Sequence, residues 1–215
     1  MPPSRRLPCI LLAAGAGSRM GRGKLLLEVQ GEPMLRRAAR TALSCCSPVV
    51  VVTGAQHEEL AGALSGLGEG LVVVRNEDWS SGRVGSVISG IMALPDASKG
   101  FLLHHGDMPY VGADVFETLL SVVDGAGALS AGQIGQARCL VAAHEGKAGH
   151  PVFFPPAIIP AIKALGGGER LKGLLETWGF SLVECGSGAV LDDIDTPEDY
   201  LQLERKYRTG KGRAQ

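Results

Sequence analysis

The sequence predicts an α/β fold in which a mostly parallel sheet is covered by helices on both faces. Three observations predict it. Apolar runs of strand length alternate with helical stretches through the first half of the chain. Those runs are apolar throughout rather than at every second residue, as strands buried on both faces are. The two strongest polar motifs, "GAGSRMGRGK" and "HGDMP", directly follow such runs, and ligands of parallel sheets sit at the carboxyl ends of strands.

In order along the chain, strands are expected over 8–13, 48–53, 71–75 and 100–104, with helices over 33–44, 56–64, 84–94 and 113–123. The second half reads as strands in "QARCLVAAHEG" and "GHPVFF", a short helix in "PAIIPAIKALGG" and another in "ERLKGLLETWG". Late strands are expected in "FSLVECGSG" and "AVLDDID", and a closing helix in "TPEDYLQLERKYR". That helix has Thr196 as its N-cap, Pro197 at the first helical position and Glu198 and Asp199 in the first turn. No repeat and no linker separates two domains, so a single domain over 1–215 is expected.

Composition excludes several function classes. With 215 residues, 45% of them hydrophobic, the chain can bury one sizeable core. A net charge of −1 gives no general attraction to nucleic acid or to an anionic membrane. The basic stretches at the two ends, "SRR" and "RKYRTGKGRAQ", read as solvated termini. Five cysteines without a CxxC pair or histidines at metal spacing read as free thiols in a reducing compartment. No segment approaches the roughly 20 apolar residues that span a bilayer, and a cytoplasmic protein is expected.

A strand entering a glycine loop and then a helix suits phosphates, because glycines let backbone N–H groups approach them and the helix N-terminus favours anions. Gly15, Gly17 and Gly21 miss the dinucleotide pattern GxGxxG by one residue, and no acidic residue follows where a ribose would be held. The P-loop pattern fails too, with Ser18 in place of its first glycine and Leu25 in place of its hydroxyl. What remains carries Arg19 and Lys24 within reach of one polyphosphate, a planar fork and a mobile point charge. On local grounds the loop is such a cradle or a tight turn bearing surface cations.

Asp107, in "HHGDMPYV", follows a buried strand and precedes Pro109, which stops continuation. Alone it reads as a turn former; opposite a polyphosphate loop it reads as a magnesium ligand, because Mg²⁺ is held by one or two carboxylates plus substrate phosphates. In "LDDIDTPEDY", Asp193 and Asp195 fall on the same side of an extended segment, and one of them can complete the metal shell. His104 and His105 precede Asp107 and receive no role.

The motifs together resemble the MobA-like nucleotidyltransferases, and within them the molybdenum cofactor cytidylyltransferase branch. They are the run from Leu12 to Leu26, then Asn76, Trp79, Gly82, Ser86 and Gly90, then GDMP, GHPVFF and DIDTPEDY, which span nearly the whole chain in the family's order. The resemblance implies a three-layer α/β/α fold with a mostly parallel, Rossmann-like central sheet, of the nucleotide-diphospho-sugar transferase type. It implies an N-terminal nucleotide-binding half over about 8–124 and a C-terminal acceptor-binding half over about 125–204. The activity implied is Mg²⁺-dependent transfer of CMP from CTP to the phosphate of a molybdopterin-type acceptor, releasing pyrophosphate and supplying molybdenum hydroxylases. By resemblance, Leu12, Ala13, Ala14, Gly15, Gly17, Ser18, Arg19, Lys24 and Ser86 bind the nucleotide. Arg19, Lys24 and Asp107 carry the chemistry, Asp107 and Asp195 hold Mg²⁺, and His150 lies on the acceptor side. The Leu12-Ala13-Ala14-Gly15 form resembles the CTP-using branch, where GTP-using relatives have LAGG, and the Ala14 methyl shrinks the space for a purine.

Three departures fall toward the acceptor. Lys147-Ala148 replaces an arginine before GHP, the stretch from Gly166 to Lys172 lacks an aspartate, and Arg83-Val84 replaces a methionine-and-serine version. Two further readings therefore stand beside the first: the same transfer to a sugar or polyol phosphate, and a non-catalytic molybdenum cofactor carrier or insertion chaperone. The full set of Arg19, Lys24, Asp107 and Asp195 argues against a carrier, and the late third glycine argues against a nicotinamide or flavin enzyme.

Overall fold

The structure, a computed structural model, describes residues 6–15, 23–127, 138–166 and 170–208. Its strands are β1 (Cys9–Ala13), β2 (Glu28–Val29), β3 (Glu32–Pro33), β4 (Val49–Thr53), β5 (Leu71–Arg75), β6 (Phe101–His105), β7 (Cys139–His144), β8 (Lys147–Phe154) and β9 (Phe180–Glu184). The helices are α1 (Met34–Cys45), α2 (His57–Leu64), α3 (Arg83–Ala93), α4 (Ala113–Gly127), α5 (Ile159–Lys163), α6 (Leu171–Trp178) and α7 (Pro197–Arg208).

Seven strands form one sheet in the order β5-β4-β1-β6-β8-β7-β9, and β2 and β3 form a separate two-stranded hairpin. β8 runs antiparallel to both its neighbours, and every other adjacent pair in the large sheet is parallel. Alternate side chains of each central strand enter different cores, which is why the runs are apolar throughout. Cys9, Leu11 and Ala13 join Val49 and Val51 beneath residues of α1, α2, α4 and α7. Ile10, Val50 and Val52 pack on the opposite face with Val87 and Ile91 of α3 and Ile162 of α5. The three-layer arrangement follows directly.

From β1 the chain moves to β4, whereas from β6 it moves to the β7–β8 side. The crevice between the carboxyl ends of β1 and β6 is thus a topological switch point, where α/β sheets take their ligands. α3 closes one side of it, because Gly90 lets the helix settle on β1: a Cβ there would lie 2.6 Å from Ile10 Cγ2.

One expectation is corrected and two features are added. "AVLDDID" is no strand: residues Gly188–Leu191 form a 3₁₀ turn and the following aspartates lie in irregular chain. No sheet edge pairs with it; instead the Ile194 N–H donates to the Asp107 carbonyl at 3.0 Å, docking the segment on the turn after β6. His150 lies within β8, which begins earlier than the expected strand, at Lys147, paired with His144. The hairpin of β2 and β3 had no counterpart in the sequence reading. The five cysteines are free, four of them buried.

Candidate active site

β1 runs into Ala14 and Gly15, which line a cleft of about 210 Å³ at the carboxyl edge of the sheet. Gly17, Ser18 and Arg19 lie outside the described residues. The chain is described again from Gly23, whose φ of 93° puts it in the left-handed region that favours glycine. There begins a 3₁₀ turn, Lys24–Leu26. Leu25 drops into the core shared with α1, which leaves the neighbouring Lys24 facing the sheet edge at only 8% exposure.

The Lys24 ammonium lies 2.9 Å from Asp107 Oδ2 and 2.7 Å from Asp195 Oδ1. Asp107 is placed by Gly106, where an added Cβ would come within 2.7 Å of Leu35 and 3.2 Å of the Leu12 carbonyl. The turn therefore sits tight against β1. Asp195 is placed from the other end, by the N-terminus of α7. The Asp199 carboxylate accepts from the backbone N–H groups of Asp195 and Thr196 at 3.1 and 2.7 Å, and the Asp199 N–H donates to Thr196 Oγ1 at 3.2 Å. This is a reciprocal cap with Thr196 at its head.

The electrostatics are lopsided. Burial works against the charge of Lys24, but Asp107 and Asp195 outweigh it and its pKa rises. Burial also raises the pKa of Asp193, and the neighbouring Asp195 and Asp107 charges raise it further. Asp107 Oδ1 is buried without a hydrogen-bond partner among the described residues, a costly arrangement for a carboxylate oxygen unless a ligand meets it. Two carboxylates that converge on a point holding a cation, one with an unpartnered oxygen, fit a divalent ion. Among the described residues no cluster of three or more His, Cys, Asp or Glu is set for a metal. The chemistry that fits is Asp107 and Asp195 as ligands, with phosphate oxygens completing the shell.

Other walls of the cleft come from Leu12, Trp79, Gly82, Arg83, Ser86 and His105. Ala13 instead turns its methyl into the core. Ser86 is buried and its Oγ accepts from Asn76 Nδ2 at 3.0 Å, which leaves its hydroxyl proton to donate. Asn76 is itself fixed by the Asp78 N–H, which donates to its Oδ1 at 3.1 Å. Gly54 allows this wall to approach β1: a Cβ there would lie 2.5 Å from the Ala14 carbonyl and 2.8 Å from Trp79.

β8 brings His150 beside His105, their ring centroids 4.2 Å apart. Burial first, then the neighbouring cations and rings, hold both imidazoles down to about 3, so both are neutral near pH 7. His105 and Arg83 line the cleft, and the sequence reading gave neither a site role. Nothing local marks His105; its position as the last residue of a strand facing the switch point is the signal that finds it.

Residues 9–183 match the MobA-like NTP transferase domain. The chain is 29% identical over 203 residues to the molybdenum cofactor cytidylyltransferase of Escherichia coli (strain K12), covering 94% of this chain and 97% of that one. It is 32% identical over 205 residues to a protein of Paenarthrobacter nicotinovorans named nicotine blue oxidoreductase, covering 92% and 97%. Among solved structures, a nucleotidyl transferase from Methanothermobacter shares the fold with a TM-score of 0.77 at 22% identity, over 96% of this chain and 100% of that one. The chain belongs to the MobA-like NTP transferase family and is a nucleotidyltransferase.

Proposed function

We propose that the enzyme transfers CMP from CTP to the terminal phosphate of a molybdenum–molybdopterin acceptor and releases pyrophosphate, acting in the cytoplasm and supplying molybdenum hydroxylases. The observation that carries it is the convergence of Asp107 and Asp195 on Lys24, beside a cleft walled by Ala14 and Ser86. The likeness to a molybdenum cofactor cytidylyltransferase supports the choice of nucleotide and acceptor.

Phosphoryl transfer asks the protein for positioning and charge neutralisation rather than for a protein nucleophile. An oxygen of the acceptor phosphate forms a bond to the α-phosphorus of CTP, and the bond from that phosphorus to the bridging β-phosphate oxygen breaks. Asp107 and Asp195 would hold Mg²⁺, which when bound neutralises charge on the phosphate oxygens. Lys24, already at those carboxylates, would shift its ammonium toward the leaving pyrophosphate, with Arg19 as a second cation. Ser86 donates to the base or ribose, and the Ala14 methyl limits the room for a purine. His150, on the acceptor side with its neutral neighbour His105, offers hydrogen bonds without adding charge.

Pyrophosphate release measured with Mg²⁺ and each of CTP, GTP, ATP and UTP, with and without molybdenum-loaded pterin cofactor, tests this reading. Release that needs both CTP and that acceptor is expected, and Asp107→Asn abolishes it. Release with a sugar or polyol phosphate instead reassigns the acceptor. CTP binding without any release leaves a carrier. Because one relative bears an oxidoreductase name, oxidation of reduced nicotinamide is followed in parallel and is expected to be nil. Ala14→Gly lowers the CTP over GTP ratio of kcat/KM by about tenfold, the scale of one methyl group in a pocket.

A further inference from the structure

Arg83 is the first residue of α3, exposed, and part of the cleft wall. Among the described residues it makes no hydrogen bond and no ion pair. It shares the cleft wall with His105, whose ring stands beside that of His150. It also stands where the family resemblance had no arginine.

Its direction of approach is informative. Lys24 reaches the sheet edge from the face covered by α1, with Leu25 packed in that core. Arg83 comes from the opposite face, on a helix anchored by Val87 and Ile91 in the other core. Asp107 touches Lys24 and lines the cleft together with Arg83. In-line transfer needs the attacking and leaving oxygens on opposite sides of the α-phosphorus. With Lys24 assigned to the leaving pyrophosphate, the attacking side is left to a group from the other face.

We infer that Arg83 binds the acceptor: its guanidinium holds the attacking phosphomonoester across the α-phosphorus from Lys24. The inference rests on the proposed nucleotidyl transfer and names the group that selects a phosphorylated acceptor. A guanidinium suits this task, because its planar fork grips two phosphate oxygens and leaves the third to attack. Gly82 supports the placement, since its φ of 122° turns the chain sharply into the first turn of α3.

Arg83→Leu and Arg83→Lys test this in the intact protein. Two affinities are measured: that of a non-hydrolysable α,β-methylene CTP analogue with Mg²⁺, and that of inorganic phosphate for the analogue-loaded enzyme. Arg83→Leu is expected to leave the analogue affinity within about twofold and weaken phosphate binding by about 10- to 100-fold, as loss of a charged hydrogen-bonding pair does. With a turning-over acceptor its KM rises by the same factor while kcat changes far less, and Arg83→Lys recovers part of the loss. A loss of analogue affinity would reassign Arg83 to the nucleotide and overturn the inference. Unchanged phosphate binding would overturn it as well. If the wild-type protein releases no pyrophosphate with any acceptor, the proposed function fails, while the two affinities still decide whether Arg83 is an anion site.

Discussion

Lys24 holds two carboxylates together at the edge of the sheet, and its removal is felt by the fold as well as by catalysis. Without the ammonium, Asp107 and Asp195 face each other beside Asp193, whose ionisation burial already opposes. Lys24→Met is expected to cost about 1–3 kcal/mol at pH 7, less than a fully buried pair because Asp195 is partly exposed. Mg²⁺ should restore part of that, since an ion bound only by the folded state stabilises it. Urea unfolding with and without Mg²⁺ reads both effects, and a variant indifferent to Mg²⁺ would separate these aspartates from cation binding. His104 gives a second residue-level prediction. It is buried edge-on against Phe116 and held down to about 3 by that burial. The unfolded chain binds its proton near pH 6.5, so between there and pH 3 the unfolded state holds more protons and stability falls as pH drops, by up to about 1.4 kcal/mol per unit. His104→Leu should make this acid limb shallower without removing it, because His105 and His150 are held down to about 3 as well; an unchanged slope would place the titration elsewhere.

At the scale of elements, the legible features were those dictated by local chemistry. The run Val49–Thr53 announces itself because both faces of the sheet are covered there, and the edge strand Leu71–Arg75, only partly buried, keeps the same apolar character. The closing helix is equally readable, since Thr196 and Pro197 define its first turn in one dimension. "AVLDDID" misled because an apolar stretch says nothing about whether a sheet edge stands free to receive it. The hydrogen bond that fixes that segment, from Ile194 to Asp107, joins residues far apart in sequence. Gly90 shows a constraint that belongs to the pairing of two elements. Its lack of a side chain sets the distance of α3 from β1, and α3 carries Arg83 and Ser86 to the cleft. Gly90→Ala, although it favours an isolated helix by about 1 kcal/mol, should destabilise the protein by about 1–3 kcal/mol through overpacking on Ile10. It should also weaken CTP binding by displacing Ser86. A variant more stable than wild type would show that α3 moves away at no cost.

The site itself is a property of the whole molecule. Asp107 and Asp195 each stand out in sequence as acids beside turns, yet their shared contact with Lys24 spans 83 and 171 residues of chain and has no local signature. The same holds for His105 and His150, neighbours only because β8 runs antiparallel beside β6, a direction that its own apolar sequence does not encode. A ligand bridging Lys24, Asp107 and Asp195 therefore ties the N-terminal loop, the centre of the sheet and the final helix into one unit, and binding should report on global unfolding. At a concentration about 100 times its dissociation constant, CTP with Mg²⁺ should stabilise the fold by about 2.7 kcal/mol. For a chain of this length that corresponds to a rise in Tm of about 5–10 °C. Asp107→Asn should lose most of the Mg²⁺-dependent part of the shift, because one carboxylate oxygen and the negative charge are gone. Calorimetric unfolding with CTP alone, Mg²⁺ alone and both together separates the contributions. A shift from CTP that ignores both Mg²⁺ and Asp107 would mean that nucleotide binding is carried by the Ala14 and Ser86 walls without the carboxylate edge.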